Sequence, residues 1–151
     1  MELLLEALGH NHSLRDTEMH EGSCHCGAVR IKIPSTPLVA TACNCSRCRR
    51  IGGPWVYFEL GTVQIEGHPG NTADYVWGDK TLRSIFCRHC GCVTHWEPLD
   101  PSVVTKQGVN LGNFDPALIA AVRVRKFDGA NTWRFFDELE FKESGAQTGA
   151  A

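Results

Sequence analysis

The sequence lacks any long hydrophobic run, and no stretch approaches the ~18 apolar residues that a membrane-spanning helix requires. It also lacks an excess of charge of either sign, because 15 Lys and Arg residues against 17 Asp and Glu residues leave a formal net charge of −2. This balance provides no general attraction for nucleic acid or for an anionic membrane surface, so any basic patch must be local. The two absences argue against a membrane partner and against a general nucleic-acid-binding protein.

The N-terminal segment lacks the features of a signal peptide. Glu2 and Glu6 interrupt its apolar run, no basic region precedes that run, and no small-residue cleavage site follows it. We therefore expect a cytoplasmic protein whose eight cysteines meet reducing conditions. Closely spaced thiols in such a compartment are more often metal ligands or redox centres than structural disulfides.

The length of 151 residues fits one domain with a single core. No internal repeat and no interdomain linker is evident. We expect an N-terminal extension over residues 1–20, parts of which can be disordered, a domain over 21–142 and a mobile tail over 143–151. The tail is assigned because it contains little that could be buried.

Short segments typical of β-strands dominate the domain. In residues 28–33, "AVRIKI", apolar residues alternate with Arg30 and Lys32, which predicts a strand with one buried face. Similar segments follow at 55–60, 63–67, 73–78, 81–87, 92–97, 103–109 and 122–127, with a further candidate at 138–141. The pattern predicts an all-β or β-dominated fold with at most one or two short helices.

Two local signals refine this prediction. Residues 113–122 favour a helix, since Asp115 can cap it and Pro116 suits its first position. Residues 77–80 favour a hairpin turn, because Gly78 and Asp79 both tolerate the backbone angles that such turns need.

The first and third cysteine clusters have the spacing of a structural zinc site. Cys24 and Cys26 form CxC, and Cys87 and Cys90 form CxxC, with a glycine directly after each pair. A structural zinc is held by four ligands, usually thiolates or imidazoles, in a tetrahedral arrangement. The four cysteines therefore predict a closed four-thiolate zinc site that ties the start of the domain to its middle.

The second cluster, CxCxxC, contains Cys43, Cys45 and Cys48. A zinc with three protein ligands keeps one position open, as catalytic or ligand-binding metals do. Such a zinc can hold an incoming thiol as a nucleophilic thiolate, and nearby cations would balance the accumulated negative charge. The cluster contains or adjoins three arginines that can fulfil this role and attract an anionic thiol such as glutathione: Arg47, Arg49 and Arg50.

Other interpretations of these three cysteines remain open at this stage. They can be reduced thiols without a metal, or a second inert zinc site completed by His25, His89 or Cys92. Cys92 can equally be a small buried apolar residue. A redox pair at Cys45 and Cys48 is a further alternative, although the βαβ setting of a thioredoxin-like motif is missing.

Four ordered motifs resemble those of the glutathione-dependent formaldehyde-activating enzymes, a family that includes the centromere-protein-V-like proteins. They are "GSCHCGAVRIKI", "CNCSRCRRIGGPWVYFEL", "FCRHCGC" and "VNLGNFDP" with a later tryptophan, between about Glu21 and Asp137. The resemblance implies zinc-stapled, twisted antiparallel sheets, similar to methionine sulfoxide reductase B and a Rab-exchange-factor accessory domain. It also implies a structural zinc at the CxC and CxxC cysteines and an active-site zinc at Cys43, Cys45 and Cys48.

The activity implied by this resemblance is that of a carbon–sulfur lyase, which forms or cleaves an S-hydroxymethyl adduct between glutathione and formaldehyde. The expected partners are therefore a small thiol and a small aldehyde. The chain departs from the family pattern at Asn44, where a histidine is common, and at Cys92, where a small hydroxyl residue is expected. The alternative function is a non-catalytic zinc-binding β module that binds a small thiol, a protein or a chromatin component.

Overall fold

The structure is a computed structural model that describes residues 18–138. Its strands are β1 His20–Ser23, β2 Arg30–Ile33, β3 Val39–Cys43, β4 Trp55–Glu59, β5 Gln64–Glu66, β6 Thr72–Val76, β7 Leu82–Cys87, β8 Val93–Pro98, β9 Lys106–Asn110 and β10 Arg123–Phe127. Its short helical segments are α1 Cys48–Ile51, a 3-10 helix Leu111–Asn113 and α2 Pro116–Ala121. The predicted β-dominated fold is confirmed.

The strands form two sheets. The small sheet has the order β1-β2-β5, and the large sheet has the order β10-β3-β4-β9-β8-β7-β6. Neighbouring strands pair antiparallel, with the exception of β3 and β10, which run parallel. The expected antiparallel sheets are thus present, and the β3–β10 pair is parallel because the chain returns to β3 through α2 rather than through a hairpin.

The main core joins the two sheets. Ile31 and Ile33 from β2 are fully buried in one cluster with Val56 from β4 and Val109 from β9. Arg30 is exposed and Lys32 is half-buried, so the alternation read from residues 28–33 describes the strand correctly. Burial of this apolar face is the main favourable contribution to the association of the sheets.

The predicted helix forms over Pro116–Ala121, inside the expected range. The Asp115 carboxylate accepts a hydrogen bond from the Ala117 backbone N–H at 2.7 Å, and Pro116 begins the helix. The side-chain cap and the proline position therefore act as the sequence indicated.

The hairpin between β6 and β7 is present, but its left-handed residues are Gly78 and Lys80 rather than Gly78 and Asp79. The Asp79 side chain instead accepts hydrogen bonds from the Thr81 backbone N–H and hydroxyl. An aspartate that bonds the backbone two residues ahead forms an Asx-type turn, which accounts for the shift by one position.

Four elements were not anticipated: β1, β3, α1 and the 3-10 helix Leu111–Asn113. Of the predicted extension 1–20 and tail 143–151, only residues 18–20 lie within the described part of the chain, and the predicted strand 138–141 lies outside it except for Glu138. In the described part, no helix has the length and hydropathy needed to traverse a lipid bilayer.

The close approach of β8 and β9 generates a stability prediction. A Cβ atom added at Gly108 would overlap the indole ring of Trp96, whereas a Cβ at Gly70 would meet nothing within 4 Å. We expect Gly108→Ala to lower the free energy of unfolding by about 1–3 kcal/mol or more, because a buried ring and its strand must shift. Urea unfolding of the metal-loaded protein measures the change.

Gly70→Ala is the matched control and should change the unfolding free energy by less than about 0.5 kcal/mol. Equal unfolding midpoints for the two variants would show that the packing of Trp96 on β9 is not as described.

Candidate metal centres

Two hairpin turns from different sheets bring four cysteines together. Cys24 and Cys26 lie in the β1–β2 turn of the small sheet, while Cys87 ends β7 and Cys90 lies in the β7–β8 turn of the large sheet. Their four sulfur atoms lie within 4.8 Å of one another. The sulfur of Cys26 is 3.6 Å from that of Cys24 and 3.6 Å from that of Cys87.

This geometry fits a tetrahedral zinc ion. Four sulfurs at a zinc–sulfur distance of about 2.3 Å are separated from each other by roughly 3.8 Å. The turns also supply the local features of such a site, since Gly27 and Gly91 adopt positive φ angles of 80° and 77° directly after each pair. The Val29 backbone N–H points at the Cys24 sulfur over 3.3 Å. All eight cysteines are free.

The second group consists of Cys43 at the end of β3, Cys45 in the following loop and Cys48 at the start of α1. Their three sulfur atoms also lie within 4.8 Å of one another. Backbone N–H groups of residues 45 and 48 point at the sulfurs of Cys43 and Cys45, each over 3.4 Å. This donor set fits a zinc with three thiolate ligands.

Within residues 18–138, no fourth His, Cys, Asp or Glu joins this group of three. His25 and His89 are exposed in the turns of the group of four, and the His89 ring lies 3.3 Å from the Asn71 side-chain oxygen. Cys92 is half-buried beyond Cys90. The group of three therefore keeps an unsaturated donor set, in contrast to the group of four.

The surroundings of the three cysteines favour negative charge on sulfur. The pKa of Cys48 is lowered to about 5, mainly by a hydrogen bond from Cys43. Burial opposes this shift, and the positive charge of Arg47 adds to it. The same shared proton raises the pKa of Cys43. The buried indole N–H of Trp55 finds no hydrogen-bond acceptor at normal distance within the described residues, yet it lies close enough to Cys48 to contribute to the low pKa. A thiolate ligand set suits this unpartnered donor.

Residues 128–134 cover one side of this group, a feature that the sequence analysis missed. A Cβ atom at Gly129 would lie only 2.5 Å from the Cys43 sulfur, so this position has room for glycine alone. Asn44 holds the segment in place by donating to the Asp128 carboxylate at 2.9 Å and accepting from the Ala130 backbone N–H at 2.9 Å. Asn44, noted above as a departure from the family pattern, thus has a positioning contact.

A cavity of about 420 Å³ lies next to the loop and helix that carry Cys45 and Cys48, although none of the three cysteines lines it. It runs from residues 46–51, beside the three cysteines, to residues 91–93, just after the group of four. Arg47 and Arg50 line it, as do the aromatic rings of Tyr75 and Trp77. Arg49, the third arginine named from the sequence, is exposed and does not line it, because successive helical residues point in different directions.

The arginines that line the cavity are held differently. Arg47 donates to the Ser84 hydroxyl on β7 at 2.6 Å, whereas Arg50 donates to the backbone carbonyl of Ser46 at 2.6 Å. Arg47 is thus anchored to the large sheet, and Arg50 lies on the exposed rim. The sequence does not distinguish these two arginines, because the distinction depends on which side chain reaches Ser84 on β7.

The domain is β-dominated and contains two groups of free cysteines whose sulfurs converge, one of four members and one of three. These features define a class of cysteine-rich proteins able to hold metal ions. The sequence profile of the family described as "Glutathione-dependent formaldehyde-activating enzyme" matches residues 19–127, and the chain belongs to this family. A crystal structure of a Rhodobacter sphaeroides protein is also similar, with 32% sequence identity, a TM-score of 0.56 and coverage of 69% of this chain and 98% of that chain.

The two cysteine groups generate a metal-binding prediction. Metal-free protein titrated with Co²⁺ should take up two equivalents per chain that show sulfur-to-cobalt charge-transfer absorption, because each group supplies thiolate ligands. Cys45→Ser should retain one such equivalent and the folded state. Cys87→Ser should lose the closed site and most of the stability, since structural zinc contributes directly to folding.

Cys92→Ser is the control and should keep both equivalents. If the unaltered protein binds a single sulfur-coordinated Co²⁺ equivalent, only the assignment of the group of four stands. If it binds none, both assignments are contradicted.

Proposed function

We propose that this protein binds glutathione, or a similar acidic thiol, beside Cys43, Cys45 and Cys48 and forms or cleaves its S-hydroxymethyl adduct with formaldehyde. The activity is of the carbon–sulfur lyase type. Family membership supports the choice of substrates. The observation that carries the proposal is a group of three sulfurs with no fourth protein ligand among the described residues, next to a cavity with a basic wall.

The three cysteines are proposed as ligands of a zinc ion, and the group of Cys24, Cys26, Cys87 and Cys90 as a structural zinc site. Zinc with three thiolate ligands supplies one open position at which a further thiol stays deprotonated near neutral pH. The chain contributes the compensating positive charge of Arg47 and the N–H donors directed at the sulfurs. These groups stabilise the negative charge that accumulates when a fourth thiolate arrives.

The cavity has the size and charge that a thiol tripeptide requires. A volume of about 420 Å³ falls in the normal range of small-molecule sites. Arg47 and Arg50 provide guanidinium groups for the ligand's carboxylates, and Tyr75 and Trp77 provide flat apolar surfaces for its backbone. Ser46 and Arg47 line the cavity and lie between Cys45 and Cys48 in the chain, so we infer that the thiol of a ligand bound there reaches the three sulfurs.

The reaction needs no redox partner. The thiolate sulfur attacks the carbonyl carbon of formaldehyde, a carbon–sulfur bond forms, and the π electrons of the C=O bond move to oxygen. The oxygen then takes up the proton that the thiol lost, so atoms and charge balance. The contribution of the protein is to place the thiolate and aldehyde together and to exclude competing water.

In this proposal residues 21–142 form the working unit. The eight free thiols suit a reducing compartment such as the cytoplasm. Gly129 and the segment around it limit access to the three cysteines from one side, so the reactants approach from the cavity.

The proposed activity predicts faster adduct formation. With glutathione and formaldehyde, the zinc-loaded protein should raise the rate of S-hydroxymethylglutathione formation above the spontaneous rate, as followed by exchange NMR. Cys45→Ser should reduce the rate to the spontaneous level while the fold persists, because it removes one of three ligands of the open site and none of the closed site.

Titration calorimetry with glutathione serves as the control measurement. Thiol binding without any acceleration would reject the enzymatic assignment and support the non-catalytic thiol-binding module. No binding and no acceleration would reject both.

The cavity wall generates a separate prediction about Arg50. We expect Arg50→Ala to weaken glutathione binding about fivefold, because a partly exposed ionic contact contributes ~1 kcal/mol. Arg49→Ala is the matched comparison, since it removes the same charge from the same helix but outside the cavity. Equal effects of the two variants would mean that only long-range attraction, and no contact in the cavity, is involved.

A further inference from the structure

A third cluster of metal-ligating side chains lies apart from both cysteine groups. His68 stands in the turn between β5 and β6, and His95 and Glu97 lie two residues apart on one face of β8. The Nε2 atoms of His68 and His95 lie 3.0 Å and 3.2 Å from the same oxygen, Oε1 of Glu97. The two rings are nearly perpendicular, with their centroids 4.9 Å apart. Three potential donor atoms therefore converge on one point.

Each imidazole also contacts a threonine hydroxyl through its other nitrogen. Nδ1 of His68 lies 2.7 Å from Thr72 Oγ1, and Nδ1 of His95 lies 2.9 Å from Thr94 Oγ1. Both hydroxyls are in turn placed to donate to a backbone carbonyl: Thr72 to residue 69 at 3.2 Å, and Thr94 to residue 85 at 3.3 Å. The two histidines thus have the same local arrangement, although they come from different elements.

The protons on the threonine hydroxyls and histidine rings bear on whether this cluster binds a cation. A hydroxyl has a single proton, so a threonine that donates to a carbonyl must accept from the histidine Nδ1–H. In a neutral imidazole the proton on Nδ1 leaves a lone pair on Nε2. With these tautomers, two Nε2 lone pairs face one carboxylate oxygen with no proton between them, and a cation at the centre would stabilise this arrangement.

Protonation of the His95 ring is an expensive way to supply that positive charge. His95 is completely buried, and burial disfavours the charged imidazolium. The opposite edge of the carboxylate is already occupied by Arg83, which donates to Glu97 Oε2 at 2.9 Å through Nη2 and at 3.3 Å through Nε. Two imidazolium ions would place three cations around one carboxylate.

We propose that His68, His95 and Glu97 form a third metal site, for a divalent first-row transition ion such as zinc. Two histidines and one carboxylate are an established three-residue ligand set for such ions. Thr72, Thr94 and Arg83 hold the far sides of the three ligands, as the outer partners of metal ligands usually do. The side chains of His68 and Glu97 are 17% and 18% exposed, so an ion can enter from solvent.

The location indicates a structural role. His68 belongs to the connection that leaves the small sheet at β5 and enters the large sheet at β6, whereas the other two ligands lie on β8 in the large sheet. An ion at this point would link the β5–β6 connection to β8. The group of four cysteines would link turns of the two sheets in the same way, but with sulfur ligands instead of nitrogen and oxygen.

Cobalt titration of the full chain tests this proposal. The metal-free protein first receives two equivalents of zinc per chain, enough for the two cysteine groups, whose thiolates favour zinc, and Co²⁺ is then added. The expected result is one further equivalent with visible d–d absorption and no sulfur-to-cobalt charge-transfer band. Loss of an outer partner of a metal ligand lowers metal affinity ~10–100-fold. Loss of a ligand itself, in His68→Gln or Glu97→Gln, should lower the affinity for this equivalent by at least that factor.

His20→Gln is the matched control, because His20 also contacts a threonine hydroxyl, at 2.7 Å from Thr36, but lies outside the cluster. It should leave the extra equivalent unchanged. If Glu97→Gln fails to fold through loss of the Arg83 ion pair, the result for His68→Gln decides the test.

Two outcomes would overturn the proposal: no additional equivalent in the unaltered folded protein, or equal uptake by all three variants. In either case both hydroxyls would donate to Nδ1 and both imidazoles would donate Nε2–H to Glu97, as in a metal-free hydrogen-bond network. Because the readout is independent of glutathione and formaldehyde, it stands or falls separately from the proposed activity.

Discussion

The convergence of the β1–β2 and β7–β8 turns on four sulfur atoms is the constraint on which the remaining architecture depends. The small sheet has only three short strands, about the minimum for independent stability in water. Its attachment to the large sheet relies on the shared core around Ile31 and Val109 and on sulfurs separated by 61 positions along the chain, Cys26 and Cys87. Closing so long a loop is entropically costly, and an ion bound between the two turns would offset this cost. The same convergence places residues 91–93 against the cavity, so the closed group shapes the wall of the open one.

The two cysteine groups differ in their surroundings more than in their composition. The group of four draws its members from two sheets and is complete. The group of three lies on one continuous stretch, from the end of β3 through the first residue of α1, and residues 46 and 47 within that stretch line the cavity. Arg47 and the Trp55 N–H, which has no acceptor among the described residues, favour negative charge there, and Gly129 lies close against Cys43. The same ligand type thus occurs in a complete and in an incomplete donor set within one small domain.

Much of the fold follows from local patterns. The alternation at 28–33 identified a strand with its buried face, and Asp115 with Pro116 identified the start of α2, because both signals depend only on neighbouring residues. Strand β3 was not recognised, since "VATAC" shows weak alternation and owes its conformation to pairing with β4 and β10. The roles of Asn44 and Asp128 were also beyond reach, because their contact joins positions 84 residues apart. Likewise, nothing in the order of residues relates His68 to His95 and Glu97.

The sequence by itself determined the β-dominated class, the family and the division of seven cysteines into groups of four and three, because strand periodicity and ligand spacing are properties of short segments. Only the tertiary structure decided which arginines face the cavity, what covers Cys43, and that two histidines and a glutamate meet at one point. These arrangements depend on which turns and strand faces come to lie side by side once the two sheets pack, and that is a property of the whole chain rather than of any one segment.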